Sequence, residues 1–293
     1  MTKVLVTGAS GQLGSAIKSI ANSYEGTVEF TYCTSAALNI TDMDSVMRMI
    51  TTNSFDYCIN CAAYTNVDKA EENSPQDYAI NGLGAENLAI ACKKANATLI
   101  HISTDFVFSG KQSQPYLETD GTEPLGSYGK SKLRGEQDIQ KQLDKHYIIR
   151  TSWLYSEFGA NFMKSMLRLG SERSELSVVF DQIGTPTYAV DLAKFIIYLV
   201  QNDTAKYGIY HYSNEGVASW YDFARAIFQK SGMETTISPI RSYEYPLPAK
   251  RPSYSVMDKA KLKKTFDFTI PHWEDSLDIA LKQNSLSKKD LEL

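Results

Sequence analysis

Val4-Leu5-Val6-Thr7-Gly8-Ala9-Ser10-Gly11-Gln12-Leu13-Gly14 is the stretch on which the fold turns. Three apolar residues make a short strand, and glycines at positions 8, 11 and 14 follow it directly. In a strand-turn-helix unit such glycines let the backbone turn sharply, approach a pyrophosphate closely, and pack the helix on the sheet. The helix start then offers unpaired N–H groups and the positive end of its dipole to that anion. The spacing here is G-x-x-G-x-x-G, one residue wider at its start than G-x-G-x-x-G. Gly8, Gly11 and Gly14 are therefore candidate contacts for a dinucleotide.

Working outward, short apolar runs alternate with helix-like segments. Strands are expected at Val28–Tyr32, Tyr57–Ala63, Thr98–Ser103 and Tyr147–Arg150. Helices are expected over Gly14–Ala21, after the capping run Thr41-Asp-Met-Asp44, over Ala79–Asn96, and from about Tyr128. Strand-helix alternation implies right-handed crossovers and a doubly wound, parallel, Rossmann-like α/β sheet. After Arg150 the rhythm changes. Helices at Asn161–Gly170, Asp191–Val200 and Trp220–Lys230, strands at Ser177–Phe180 and Ile209–Tyr212, and the proline-rich loop Ser242–Pro252 read as a smaller α/β domain. The expected division gives 1–150 with about 176–206 to dinucleotide binding. About 151–175 with 207–293 goes to the substrate.

The composition narrows the functional classes. The chain has 293 residues, 43% apolar and 22% charged, an ordinary globular balance. Thirty Lys+Arg against 34 Asp+Glu leave a net charge of −4, with no general attraction for nucleic acid or anionic membrane. The most apolar later run, Phe195–Val200, falls far short of the roughly 20 residues a membrane helix needs, and no signal-peptide core precedes Thr7-Gly8. A cytoplasmic protein is expected. Cys58 and Cys61 form a C-x-x-C, but on a strand residues three apart face opposite ways, so no redox pair or metal site is expected. The acid pairs Asp42/Asp44 and Glu71/Glu72 read as solvated helix ends, and His101 as a core or face residue. No metal site is expected anywhere.

Tyr128-Gly-Lys-Ser-Lys132 puts a phenol and an ammonium on one helix face. It follows the strand ending at Ser103-Thr104, the edge where such folds place their chemistry. A neighbouring ammonium is expected to lower the phenol's pKa from its usual value of about 10. A glycine turn, a Ser/Thr after the strand and a Tyr-x-x-x-Lys helix resemble the extended short-chain dehydrogenase/reductases. Finer stretches resemble the dTDP-4-dehydrorhamnose reductase family: Leu38–Asp42, Ala62–Glu71, Ser103–Phe108, Asp181–Thr187, Ser219–Phe223 and Arg251–Val256. The matches span about residues 3 to 281.

That resemblance implies roles. Ser10, Gly11, Gln12 and Leu13 would hold the cofactor phosphates, and Asn39-Ile40 would lie beside the adenine, with Asn39 where the family usually has Asp. Ala62, Ala63 and Tyr64 would line the cofactor's middle. Thr104, Tyr128 and Lys132 would be the catalytic group. Asp105 and Trp153 would contact a dTDP-sugar, and Arg251 is expected at the cleft mouth, where a guanidinium can meet phosphate. The implied reaction is NAD(P)H-dependent reduction of the C4 ketone of dTDP-4-dehydro-L-rhamnose to dTDP-L-rhamnose, with a homodimer as an expected assembly. Two alternatives stand beside it. One is another nucleotide-sugar reductase, epimerase or dehydratase, although Phe106 follows Thr104-Asp105 where dehydratases look to have a second acid. The other is a non-catalytic partner resembling the regulatory subunit of methionine adenosyltransferase.

The second strand ends Phe30-Thr-Tyr-Cys-Thr-Ser35, with no acid at the tip to hold a ribose 2′-OH or repel a 2′-phosphate. No Lys or Arg occurs between Lys18 and Arg48 to clamp that phosphate. NADPH is the expected cofactor, with NADH also accepted.

Overall fold

Short runs buried on both faces settle as a parallel sheet covered by helices. The computed structural model describes residues 1–72, 74–202 and 204–289. The first half runs β1 (Thr2–Thr7), α1 (Gln12–Ile20), β2 (Val28–Cys33), α2 (Met43–Asn53), β3 (Tyr57–Asn60), α3 (Val67–Glu72), α4 (Ser74–Tyr78), α5 (Gly84–Ala95), β4 (Thr98–Thr104), α6 (Ser127–Gln142) and β5 (His146–Thr151). The second half continues β6 (Leu154–Tyr155), α7 (Phe162–Glu172), β7 (Glu175–Val179), β8 (Ile183–Gly184), β9 (Thr187–Tyr188), α8 (Ala189–Asn202) and β10 (Gly208–His211). It closes with β11 (Ala218–Ser219), α9 (Trp220–Lys230), β12 (Thr236–Ile240), α10 (Ala260–Phe266) and α11 (Trp273–Lys289).

Six strands form one parallel sheet in the order β10-β5-β4-β3-β1-β2. The chain winds outward from β1 to β2 and then back through β3 in the other direction. The crevice at the strands' carboxyl ends, beside β1 and β3, is thus the switch point where such sheets bind ligands. Alternation along β1 builds both layers. Val4 and Val6 join the core containing Ile17, Ile59 and Phe195, while Leu5 joins Cys58, Leu88, Leu99 and Ile148 on the opposite side. Asp42 caps α2 as its sequence predicts, accepting from the backbone N–H groups of Asp44 and Ser45.

Pairing redraws the expected division. β10 lies in the main sheet beside β5, so the boundary at 206/207 falls before a sheet strand. β7, grouped with the dinucleotide half, pairs instead with β12. The run Tyr57–Ala63 is strand only to Asn60, because the Asn60 carboxamide accepts the Ala62 N–H at 3.1 Å and turns the chain away. The helix expected from Ala79 opens with a π turn over Ala79–Leu83 before α5. Among the described residues, no helix is long and apolar enough to cross a membrane.

Candidate active site

The glycine turn is held by steric necessity. Gly8 has φ +63°, and a Cβ there would stand 2.5 Å from the Ala62 nitrogen. A Cβ on Gly14 would lie 2.6 Å from the Ala9 Cα, so only glycine lets α1 lie this close to the turn. Gly11 is the N-cap of α1; no side chain caps the helix and its first turn holds no acid. Ser10 and Gly11 are exposed beside it. Donors that lack an internal partner are what an anionic phosphate requires.

Other expected cofactor residues divide between cleft and core. Leu13 and Ile40 bury their side chains in the two cores. Asn39 is exposed, its Oδ1 accepting from the Thr41 backbone and hydroxyl at 3.1 and 2.9 Å. The Gln12 side chain reaches the second half: its amide donates to the Leu154 carbonyl at 3.4 Å, and its Oε1 accepts from Ser156 and Asn161 at 3.1 and 3.0 Å. Ala62, Ala63 and Tyr64 form a half-buried loop. Asn81, in the π turn, grips both backbone groups of Tyr64, at 2.9 and 3.1 Å.

Thr104 ends β4 opposite Thr151 of β5. Its hydroxyl donates to Asp105 Oδ1 at 3.0 Å and accepts from the Phe106 N–H at 3.2 Å. Tyr128, in the first turn of α6, lies beside Thr104, and its ring meets Phe106 edge-on at 5.6 Å. A side chain at Gly129 would strike the Phe106 carbonyl, so α6 seats against this turn only with glycine there. Burial pushes the phenol's pKa up; the neighbouring Thr104 hydroxyl opposes this, and the charges of Asp105 and Asp77 add to it.

The expected lowering of the phenol by Lys132 does not occur. The buried ammonium turns away, donating to the Ile102 carbonyl at 2.5 Å and lying 3.2 Å from His101 Nε2. Burial lowers Lys132 to about 8, opposed by Glu136, Asp77 and Cys61. Burial also raises Asp105 to about 6, against hydrogen bonds from Ser255 and Thr104, and its Oδ2 is buried without a protein partner.

Trp153 sits two residues beyond Thr151, at φ +47°, stacked on Trp220 at 3.6 Å with 9° between the planes. A Cβ on Gly184 would come within 2.7 Å of its indole. Arg251 has a different partner from the phosphate expected of it. Its fork takes both oxygens of Asp68, at 3.1 and 2.8 Å, and also donates to the Ala249 carbonyl at 3.0 Å. It straps the late loop to α3.

Several residues at the site escaped the motif reading. Asn60, Asp77, Asn81 and Ser131 are buried and polar. Asp77 accepts from Asn81 and Ser131, each at 2.6 Å, under the loop that carries Tyr64. The available signal was polarity inside apolar runs, as in Tyr57-Cys-Ile-Asn60 and Leu99-Ile-His101.

A doubly wound sheet with a glycine turn at its switch point, Thr104 at a strand end and Tyr128-x-x-x-Lys132 on the next helix is the arrangement of the extended short-chain dehydrogenase/reductases. The family model for the RmlD substrate binding domain matches residues 1–286. The spore coat polysaccharide biosynthesis protein SpsK of Bacillus subtilis is 42% identical over 97% of this chain and 99% of its own length. The dTDP-4-dehydrorhamnose reductase of Aggregatibacter actinomycetemcomitans is 40% identical over 94% and 97%. The solved dTDP-4-dehydrorhamnose reductase of Bacillus anthracis, in complex with NADP, superposes with a TM-score of 0.93 at 39% identity over 97% of this chain and 100% of that one. The chain belongs to the dTDP-4-dehydrorhamnose reductase family.

Proposed function

We propose that this protein is a cytoplasmic NAD(P)H-dependent reductase that converts the C4 ketone of dTDP-4-dehydro-L-rhamnose to the alcohol of dTDP-L-rhamnose. One observation carries the proposal. A phenol kept protonated by burial stands beside Thr104 at the carboxyl end of β4, in the same sheet whose β1 leads into an uncapped, glycine-rich helix start.

The chain's residues fit a nicotinamide dinucleotide. The Gly8–Gly14 turn and the free N–H groups of α1 would take the phosphates, and the 62–64 loop would line its centre. When bound, the reduced nicotinamide supplies the hydride. Thr104 would hydrogen-bond the substrate's carbonyl oxygen and hold it at Tyr128, where stabilising the developing oxyanion lowers the barrier. Tyr128 would donate its proton to that oxygen, a contribution of typically 10²–10⁴-fold. Lys132, free of the phenol, would orient the ribose. Asp105, with an unpartnered buried oxygen, and Trp153, stacked on Trp220, would meet the sugar nucleotide on the side built by the later sheets and helices.

Dehydration needs a second acid-base pair beside Thr104, and there the Phe106 ring packs on Tyr128 instead. Mixing the protein with NADPH and the keto-sugar nucleotide, and following the reduced-nicotinamide absorbance, tests the assignment. One NADPH consumed per alcohol formed supports it. Tight NADPH binding without turnover favours a non-catalytic partner.

A further inference from the structure

Three neighbouring strands each place a buried polar residue at the same level of the sheet. Thr7, Asn60 and His101 are register partners across β1, β3 and β4. All three are buried, at 1% exposure each. The Thr7 hydroxyl donates to Asn60 Oδ1 at 2.7 Å, and the Ala62 N–H donates to the same oxygen at 3.1 Å. A backbone N–H can only donate, so the Asn60 oxygen must face it, and the carboxamide NH₂ therefore faces His101 Nδ1, 3.0 Å away. That nitrogen is then the ring's acceptor, and a neutral ring carries its proton on Nε2. Nε2 lies 3.2 Å from Lys132 Nζ.

We propose that His101 is a positioning residue for Lys132, locked by Asn60 and Thr7 as the Nε2–H tautomer, so that the ring presents a donor that only a neutral lysine amine could accept and refuses the ammonium's proton. An accepting ring would satisfy the ammonium inside the protein. A donating ring leaves the Ile102 carbonyl as the acceptor for Lys132 and makes its remaining protons available to groups entering from the cleft. It also disfavours the charged lysine, in the same direction as burial. The remaining groups facing Lys132 all favour its charge: Glu136 on its own helix, Asp77 on α4 and Cys61 after β3. His101 in turn faces Lys132 and His146, whose charges add to burial in keeping the ring neutral. The inference rests on the assignment of Lys132 to the reductase site, but its first test does not use turnover.

The chain has four histidines, so ¹⁵N ring shifts of the whole protein are tractable, with the His101 signals assigned by their loss in His101→Gln. A neutral Nε2–H ring at His101 between about pH 6 and 8 is expected; an Nδ1–H tautomer or an imidazolium overturns the proposal. Asn60→Asp removes the donor, so the ring should protonate at Nδ1 and turn an acceptor to Lys132. The alkaline limb of the kcat/KM profile for the keto-sugar nucleotide should then rise by about one pH unit or more. A purely structural role for Asn60 would depress kcat while leaving tautomer and limb in place, and that result also overturns it. If the variant does not fold, the wild-type spectrum decides alone. Loss of keto-sugar turnover in the wild type, with the Nε2–H ring intact, would refute the reductase assignment and leave the tautomer lock standing.

Discussion

Replacing Tyr128 with phenylalanine removes one oxygen and leaves its surroundings satisfied. Thr104 keeps Asp105 as acceptor and the Phe106 N–H as donor, and the ring keeps its edge-on contact with Phe106. No buried polar group is orphaned, so folding stability should change by less than about 1 kcal/mol. The rate should change far more. Loss of a positioned acid costs typically 10²–10⁴-fold, or about 2.7–5.4 kcal/mol of barrier. Because the phenol acts only as the proton moves, kcat and kcat/KM should fall together while NADPH affinity stays within about twofold. Stopped-flow decay of the nicotinamide signal gives the rate, fluorescence titration gives the affinity, and urea unfolding gives the stability. A variant with near-wild-type kcat, or one whose whole loss lies in KM, would refute Tyr128 as the acid.

With neither an acid nor a basic clamp at the β2 tip, kcat/KM for NADPH should exceed that for NADH by less than about tenfold, or ~1.4 kcal/mol; a preference beyond a hundredfold either way contradicts that reading. Asp105 is raised from 3.8 to about 6 in the fold, so below its unfolded pKa it is protonated in both states and equivalent to a neutral isostere, and stability is lost as pH rises from there through about 6. Asp105→Asn should therefore gain stability on wild type, on the order of 2 kcal/mol, between about pH 4 and pH 7, with a pH-independent gap in melting curves as the refuting result. Glu136 and Arg150 form an ion pair with side chains 1% and 3% exposed, which also takes the Ser103 hydroxyl. Glu136→Gln should cost about 3–5 kcal/mol in urea unfolding, and a loss under about 1 kcal/mol would show the guanidinium finds other partners.

The first half of the fold was legible because its strands are short apolar runs and its turns carry local signals, such as the glycines before α1 and the Asp42 cap of α2. Tertiary partners are less visible in sequence. Nothing in Gly208-Ile-Tyr-His211 says which sheet it joins, and β12 carries Pro239, a residue that argues against a strand. The helices α10 and α11 do carry apolar residues at helical spacing, Leu262 and Phe266 and then Trp273, Leu277, Ala280 and Leu281, although no helix is expected there above. Within the site, the glycines were readable from their place between a strand and a helix, Tyr128 and Lys132 from their place after the strand that ends at Thr104, and Thr104 itself from the family resemblance. Arg251's partner Asp68 lies 183 residues away, and the acceptors of Gln12 lie in the second half, so those roles needed the fold. His101 and Asn60 were visible as polar breaks in buried strands, but their pairing depends on register between strands.

The central claim is hydride transfer from a nicotinamide to a sugar ketone. Run the reaction with NADPH carrying two deuterons at the nicotinamide C4, and analyse the product nucleotide-sugar by mass spectrometry and NMR. One deuteron bound to C4 of the hexose, with none elsewhere, is the predicted result. An unlabelled C4, or C4 hydrogen drawn from solvent, would contradict the account.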